Sequence, residues 1–97
     1  MVVPFDMPSS IELELALLDV LLGEEDGMNT DNIFEEVAIH LGLSNEVLQI
    51  KRIGNRNEFG YRLSWARTKA KEKGLVERVE LGIWRITKKG EEFVKNQ

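Results

Sequence analysis

The stretch "GLVERVELGIWRITKKG", residues 74–90, places the strongest constraint on how this chain can fold. Two short runs of alternating apolar and polar residues flank Leu81-Gly82, a spacing typical of a β-hairpin. Trp84 and Ile86 fall on one face of the second run, and Arg85 falls on the other. We therefore expect a hairpin whose apolar face packs on the preceding helix. The other role open to Trp84 is that of a base-stacking platform.

Helical periodicity and capping residues predict the elements around the hairpin. Ser9 and Glu12 form a capping-box pattern, and Thr87 is placed to cap a final helix. We expect helices over about 9–22, 30–41 and 58–73, a strand at Met28, a short helical segment in "SNEVLQI" and an extended arm over 1–8. This order predicts one domain over 1–97, mainly α with a small β-hairpin (α+β): a winged helix-turn-helix with a three-helix core, a wing and a C-terminal helix.

Charge is divided sharply between the two halves of the chain. Residues 1–50 contain eleven Asp or Glu and no Lys or Arg, whereas 51–97 contain thirteen Lys or Arg and six acids. The whole chain therefore has a net charge of −4. Such asymmetry is a hint that the basic half binds a polyanion. Attraction between the two halves explains the same division equally well.

The third helix has a buried face and a polar face. At 100° per residue, Phe59, Leu63, Ala66 and Ala70 share one narrow stripe. The opposite face and the wing supply hydroxyls and cations suited to base edges and phosphates. We predict major-groove contacts from Arg56, Asn57, Tyr61, Ser64, Thr68 and Lys71, and phosphate contacts from Arg52, Arg78, Arg85 and Lys88. A plain solvated helix face is the competing interpretation.

The first helix carries apolar residues on two sides. Leu13, Leu17 and Val20 lie on a stripe roughly opposite the stripe of Ile11 and Leu15. A domain this small can hardly enclose both, so we expect the stripe of Leu13, Leu17 and Val20 to form a homodimer interface. The alternative is that the arm "VVPF" folds back over this stripe.

Catalytic and metal-binding patterns are missing from the sequence. There is no Cys, and His40 is the single histidine, so we expect no metal and no cofactor. No serine stands in a nucleophile elbow, and the glycines do not have phosphate-loop spacing. We therefore do not expect an enzyme. Neither a signal peptide nor a membrane-spanning run is present, which predicts a cytoplasmic protein.

Residues 61–94, "YRLSWARTKAKEKGLVERVELGIWRITKKGEEFV", resemble the N-terminal domain of Mrr-type restriction endonucleases. That family's pattern is Arg, two residues, Trp-Ala-Arg, a helix ending in Gly-Leu, a short hairpin, then Gly-x-Trp-x-Ile-Thr-x-x-Gly. The matching residues are Arg62, Trp65-Ala66-Arg67, Gly74-Leu75, Gly82, Trp84, Ile86, Thr87 and Gly90. The resemblance implies a winged-helix domain that positions DNA for a separate nuclease domain, in a system that restricts modified foreign DNA.

Two departures from the family qualify what the resemblance implies. Ala70 and Lys73 stand where the family tends to have Leu and Ala, and the nuclease domain is missing. We therefore expect either an excised domain or a stand-alone reader of double-stranded, including modified, DNA, served by a separate nuclease domain or subunit. The rival interpretation is a winged-helix protein-interaction module that does not bind DNA.

Overall fold

The computed structural model describes residues 7–52 and 54–97. The predicted arm over 1–8 therefore lies almost entirely outside the described residues. The same holds for the interpretation in which "VVPF" covers the first helix.

The described residues form five helices and a three-stranded antiparallel sheet. In chain order these are α1 (Ser10–Leu21), β1 (Met28–Asn29), α2 (Thr30–Leu41), α3 (Asn45–Leu48), α4 (Glu58–Glu72), β2 (Val76–Glu80), β3 (Ile83–Ile86) and α5 (Lys88–Lys95). The sheet has the strand order β1-β3-β2. The predicted fold class, mainly α with a small hairpin in winged-helix order, is confirmed.

Capping side chains define where the helices begin. Ser9 Oγ accepts from Glu12 N at 3.2 Å, and Glu12 Oε1 accepts from Ser9 N at 2.8 Å, so the predicted capping box is present. Asn29 caps α2 in the same way, through Asn32 N at 2.8 Å. Gly42 ends α2 in the left-handed conformation that glycine adopts without a steric penalty.

The wing consists of β2, β3 and the turn between them. Arg78 pairs with Trp84, and a bulge separates Arg78 from Glu80 just before the turn. Gly82 has a φ of +78°, so this turn depends on glycine. Trp84 and Ile86 are both buried, and the predicted apolar face of the hairpin is confirmed.

Helix α4 lies against the core with the predicted stripe. Phe59, Leu63 and Ala70 are fully buried and Ala66 is nearly so. Phe59 also meets Phe34 of α2 edge to face, with ring centroids 4.9 Å apart. This buried stripe fixes which side chains of α4 reach solvent.

The predicted dimer stripe on α1 is wrong, because the domain encloses it. Leu13 and Leu17 are 1% and 0% exposed, and Val20 is half-buried against the core. The physical reason is that α1 packs against α2, α4 and α5, so helices surround it on several sides. The exposed apolar residues of α1 are instead Ile11 and Leu22, on the opposite stripe.

Candidate nucleic-acid interface

A groove runs between α4 and the wing. It is lined by Thr68, Lys71, Glu72, Arg78 and Trp84, and we call it the wing-side groove. Arg78 reaches it because cross-strand partners project from the same side of a sheet, and its partner is Trp84. Two cations from separate elements, Lys71 and Arg78, thus line one groove together with Trp84.

The cations of the wing-side groove have no carboxylate partner. Among the described residues, neither Lys71 nor Arg78 has a carboxylate oxygen within 4.0 Å, and both side chains are exposed. Among the described residues that line this groove, Glu72 is the one acid. The groove therefore carries two cations without an ion-pair partner against a single carboxylate, and this net positive charge suits a phosphate-bearing ligand.

The hydroxyls on this side of α4 already donate within the helix. Ser64 Oγ donates to Tyr61 O at 2.8 Å, and Thr68 Oγ1 donates to Ser64 O at 3.1 Å. Their remaining capacity is as acceptors. They are therefore suited to base amino groups rather than to phosphate oxygens.

A cluster of arginines surrounds Tyr61 near the start of α4. The guanidinium carbon of Arg52 lies 3.7 Å from the Tyr61 ring centroid, and that of Arg56 lies 5.3 Å away. Arg52 Nη1 also donates to Glu58 Oε1 at 2.9 Å, and Arg62 binds the other oxygen of Glu58. These contacts, the hydrogen bond from Arg62 first, lower the pKa of Glu58 against a smaller opposing effect of burial. Arg52 therefore shares the single negative charge of Glu58 with Arg62.

Asn57 has a structural role that the sequence analysis did not assign. Its Oδ1 accepts from Gly60 N at 2.8 Å and caps α4, while its Nδ2 donates to Leu48 O at 2.6 Å. The side chain thereby ties α3 to the start of α4. Its position is explained without a ligand.

Arg85 lies apart from the other predicted contacts. It follows Trp84 in β3 and so projects from the opposite side of the sheet. There it binds Glu77 through Nε at 3.0 Å and Nη2 at 2.7 Å, and it lines a different groove with Gly23, Glu24 and Glu25. Two nitrogens of this guanidinium thus already donate to one carboxylate oxygen, Glu77 Oε2, and Arg85 is a paired cation.

Lys88 and the wing tip also differ from expectation. Lys88 begins α5 at the base of the hairpin, beside Lys89, whose Nζ donates to Lys73 O at 2.9 Å. The tip of the wing carries exposed Val79 and Leu81 and the acid Glu80, but no cation. Of the two cations on the strands of the wing, Arg78 and Arg85, only Arg78 lies on the side of Trp84 and has no carboxylate partner among the described residues.

Arg67 is the residue that the sequence analysis missed. It stands in an i, i+3, i+4, i+7 stripe with Ser64, Thr68 and Lys71. Its guanidinium carbon lies 5.6 Å from the Trp84 ring centroid, and its buried Nε has no hydrogen-bond partner. Burial lowers its pKa. The available signal was this spacing, but Arg67 falls between the buried and exposed faces and was assigned to neither.

Four residues of the family pattern given above build the contact between α4, the wing and α5. Thr87 Oγ1 donates to Gly74 O at 2.6 Å and accepts from Gly90 N at 3.0 Å. A Cβ on Gly90 would stand 2.2 Å from Leu75 O, so only glycine fits there. We call these four residues, Gly74, Leu75, Thr87 and Gly90, the hairpin junction.

The described part of the chain holds no group of three or more His, Cys, Asp or Glu side chains able to bind a metal ion. His40 meets Asp19 at 3.3 Å on the surface. None of the helices in 7–52 and 54–97 has the length and apolar character needed to cross a membrane.

Comparison with known proteins identifies the family. The family model described as the Mrr N-terminal domain matches residues 12–96, from the first turn of α1 to just past the end of α5. Searches of curated proteins and of solved structures gave no significant match. The match covers well over half of the chain, which accordingly belongs to the Mrr N-terminal domain family.

Proposed function

We propose that this chain is a non-catalytic domain that binds double-stranded DNA in the cytoplasm, as the recognition part of an Mrr-type restriction system. The observation that carries the proposal is the wing-side groove, where Lys71 and Arg78 have no carboxylate partner. The family match supports a restriction-system role. A nuclease domain or subunit would then be a functional partner.

In the proposed complex α4 lies along the major groove and the wing follows the adjacent backbone. Lys71, Arg78 and Arg56 supply phosphate contacts, because they are exposed and form no ion pair among the described residues. Ser64 and Thr68 accept from base amino groups. Arg52 and Arg85 contribute less than the sequence suggested, since each must first release a carboxylate.

The test is fluorescence anisotropy of a labelled duplex of about 20 base pairs over a salt series. We expect log-linear loss of affinity with salt, and a loss of roughly 100-fold in Lys71→Glu/Arg78→Glu, because several phosphate contacts become repulsive. The matched control is Lys69→Glu/Lys95→Glu, which makes the same charge change away from the groove. Equal losses in both double variants would show that only overall charge matters and would contradict the proposed site.

One observation favours the rival function, a protein-interaction module. Trp65 is 51% exposed beside Tyr61, and both line a groove with Arg62 and Ser10. Trp, Tyr and Arg are the residues that dominate protein interfaces. A wild-type domain that binds no duplex at low salt would favour this function.

The homodimer stays a prediction, but Leu13 and Leu17, which the sequence assigned to its interface, are buried within the domain. Ile11, Leu22 and Phe93 are exposed apolar side chains on α1 and just after it, and on α5. Two copies of the wing-side groove would match two half-sites on one duplex. Sedimentation of the free domain measures this directly.

A further inference from the structure

Arg67 is held in an arrangement that the fold does not explain. Its side chain is half-buried in a groove lined by Thr30, Asp31, Phe34, Glu35 and Gly60, which we call the α2-side groove. The two carboxylates line the same groove, yet neither comes within 4.0 Å of a guanidinium nitrogen. Buried polar groups in folded proteins almost always have a hydrogen-bond partner. The Nε of Arg67 has none among the described residues, so we look for its acceptor in a ligand.

The donor geometry of Arg67 limits which ligand groups can supply that acceptor. A guanidinium offers a planar fork, which matches two adjacent acceptors. On a DNA duplex the two candidates are a phosphate group and the O6 and N7 edge of guanine. The Arg67 guanidinium lies beside the Trp84 ring and forms no ion pair among the described residues, so it is not committed to a carboxylate.

The charge around Arg67 separates these two candidates. Asp31 and Glu35 repel a phosphate, which carries a full negative charge, whereas a guanine edge is neutral. Arg67 also stands in the same α4 stripe as Ser64 and Thr68, whose free acceptor capacity suits base edges. Lys71, at the end of this stripe, and Arg78 instead line the wing-side groove, where Glu72 is the one acid among the described lining residues.

From these contacts we propose that Arg67 is a specificity-determining residue that reads a guanine in the major groove. The inference rests on the proposed function and goes beyond it by naming a base. Arg67 then supplies sequence discrimination, while Lys71 and Arg78 supply affinity that is independent of sequence. The orphaned donor is a feature of the free domain, and the guanine edge supplies its acceptors in the complex.

The experiment uses the conservative variant Arg67→Lys, which keeps the charge and removes the fork. Sites are first selected by the wild-type domain from duplexes with a randomised core, and we expect a fixed guanine. Affinity for that duplex should fall roughly tenfold in Arg67→Lys, with an unchanged salt slope. Replacing the guanine by 7-deazaguanine, which lacks the N7 acceptor, should weaken wild-type binding and leave Arg67→Lys binding unchanged.

Each other outcome overturns the proposal in a recognisable way. Equal sensitivity of both proteins to 7-deazaguanine would mean that another residue reads the base. An affinity loss of equal size on all sequences would make Arg67 a phosphate contact. Absence of any duplex binding by the wild-type domain would remove the proposed function together with this inference.

A stability measurement separates recognition from a structural role. Arg67→Met keeps the apolar stem and removes the orphaned donor, so its thermal midpoint without DNA should equal or exceed that of the wild type. A midpoint several degrees lower would show that the fold needs the guanidinium, and would overturn the proposal.

Discussion

The hairpin junction and the wing-side groove differ in how far the chain itself satisfies their polar and charged groups. In the hairpin junction the hydroxyl of Thr87 both donates and accepts, and Gly90 packs directly on the backbone of Leu75. In the wing-side groove Lys71 and Arg78 have neither an ion pair nor a packing role among the described residues. One region is satisfied by the chain itself, and the other is open to a ligand.

The difference shows which parts of a sequence pattern report on function. Gly74, Thr87 and Gly90 of the family pattern are explained by the hairpin junction, so they report on the fold. Arg67 belongs to the same pattern, but its Nε has no hydrogen-bond partner among the described residues. Ligand chemistry is therefore to be sought where a residue is poorly explained by packing and hydrogen bonding.

The largest expected effect is at Gly90. Gly90→Ala places a Cβ 2.2 Å from Leu75 O and 2.7 Å from Ile86 Cγ1, and backbone must move to admit it. We expect the free energy of unfolding to fall by about 3 kcal/mol, as in other overpacked sites. Urea denaturation of the free domain measures the change.

Gly60→Ala is the matched control for this prediction. Gly60 lies inside α4, and an added Cβ there meets its nearest atoms at an ordinary 3.5 Å. Alanine in a helix stabilises relative to glycine by roughly 0.5–1 kcal/mol. If Gly90→Ala proved as harmless as Gly60→Ala, the hairpin junction would not be the tightly packed region described here.

A smaller effect is expected at Thr87, which caps α5 and holds Gly74. Thr87→Val keeps the shape and removes the hydroxyl, which should cost about 1–2 kcal/mol of unfolding free energy. Thr87→Ser keeps the hydroxyl and should recover most of the loss. Duplex affinity of the folded variants should match that of the wild type. An affinity loss in Thr87→Val would break the separation between the two regions.

The local structure was predictable because its causes are local. Ser9 with Glu12 and Thr87 with Gly90 are capping patterns within one turn, and the α4 stripe of Phe59 and Leu63 follows from helical periodicity. Each of these depends on residues three or four positions apart. They were read correctly from the sequence.

The pairing of charges was not predictable, because partners come from distant positions. Lys73 binds Glu14 at 2.7 Å across 59 residues, and Arg85 lies beside the loop at Glu25. Spacing along the chain cannot show which cations such contacts neutralise. For the same reason the enclosure of Leu13 and Leu17 required knowledge of where α5 packs.

The smallest expected effect is at Glu58, whose carboxylate forms ion pairs with two arginines. Glu58→Gln frees Arg52 and Arg62, both of which bind its carboxylate at the start of α4. Duplex affinity at neutral pH should rise a few-fold, since one acid is lost and Arg52 becomes available. The unfolding free energy should fall by at most about 1 kcal/mol, because both arginines are well exposed. Unchanged affinity would show that Arg52 lies outside the interface.

The pH dependence of stability isolates this contribution. The pKa of Glu58 is lowered in the folded chain, so its stabilising effect is complete above the unfolded-state pKa and is lost as the pH falls through the folded-state value. The stability difference between the wild type and Glu58→Gln should therefore be constant from about pH 7 to pH 5 and shrink below that. A difference that persisted undiminished to about pH 2 would mean that the carboxylate acts through packing rather than charge, and that α4 begins with a purely structural contact like those of the hairpin junction.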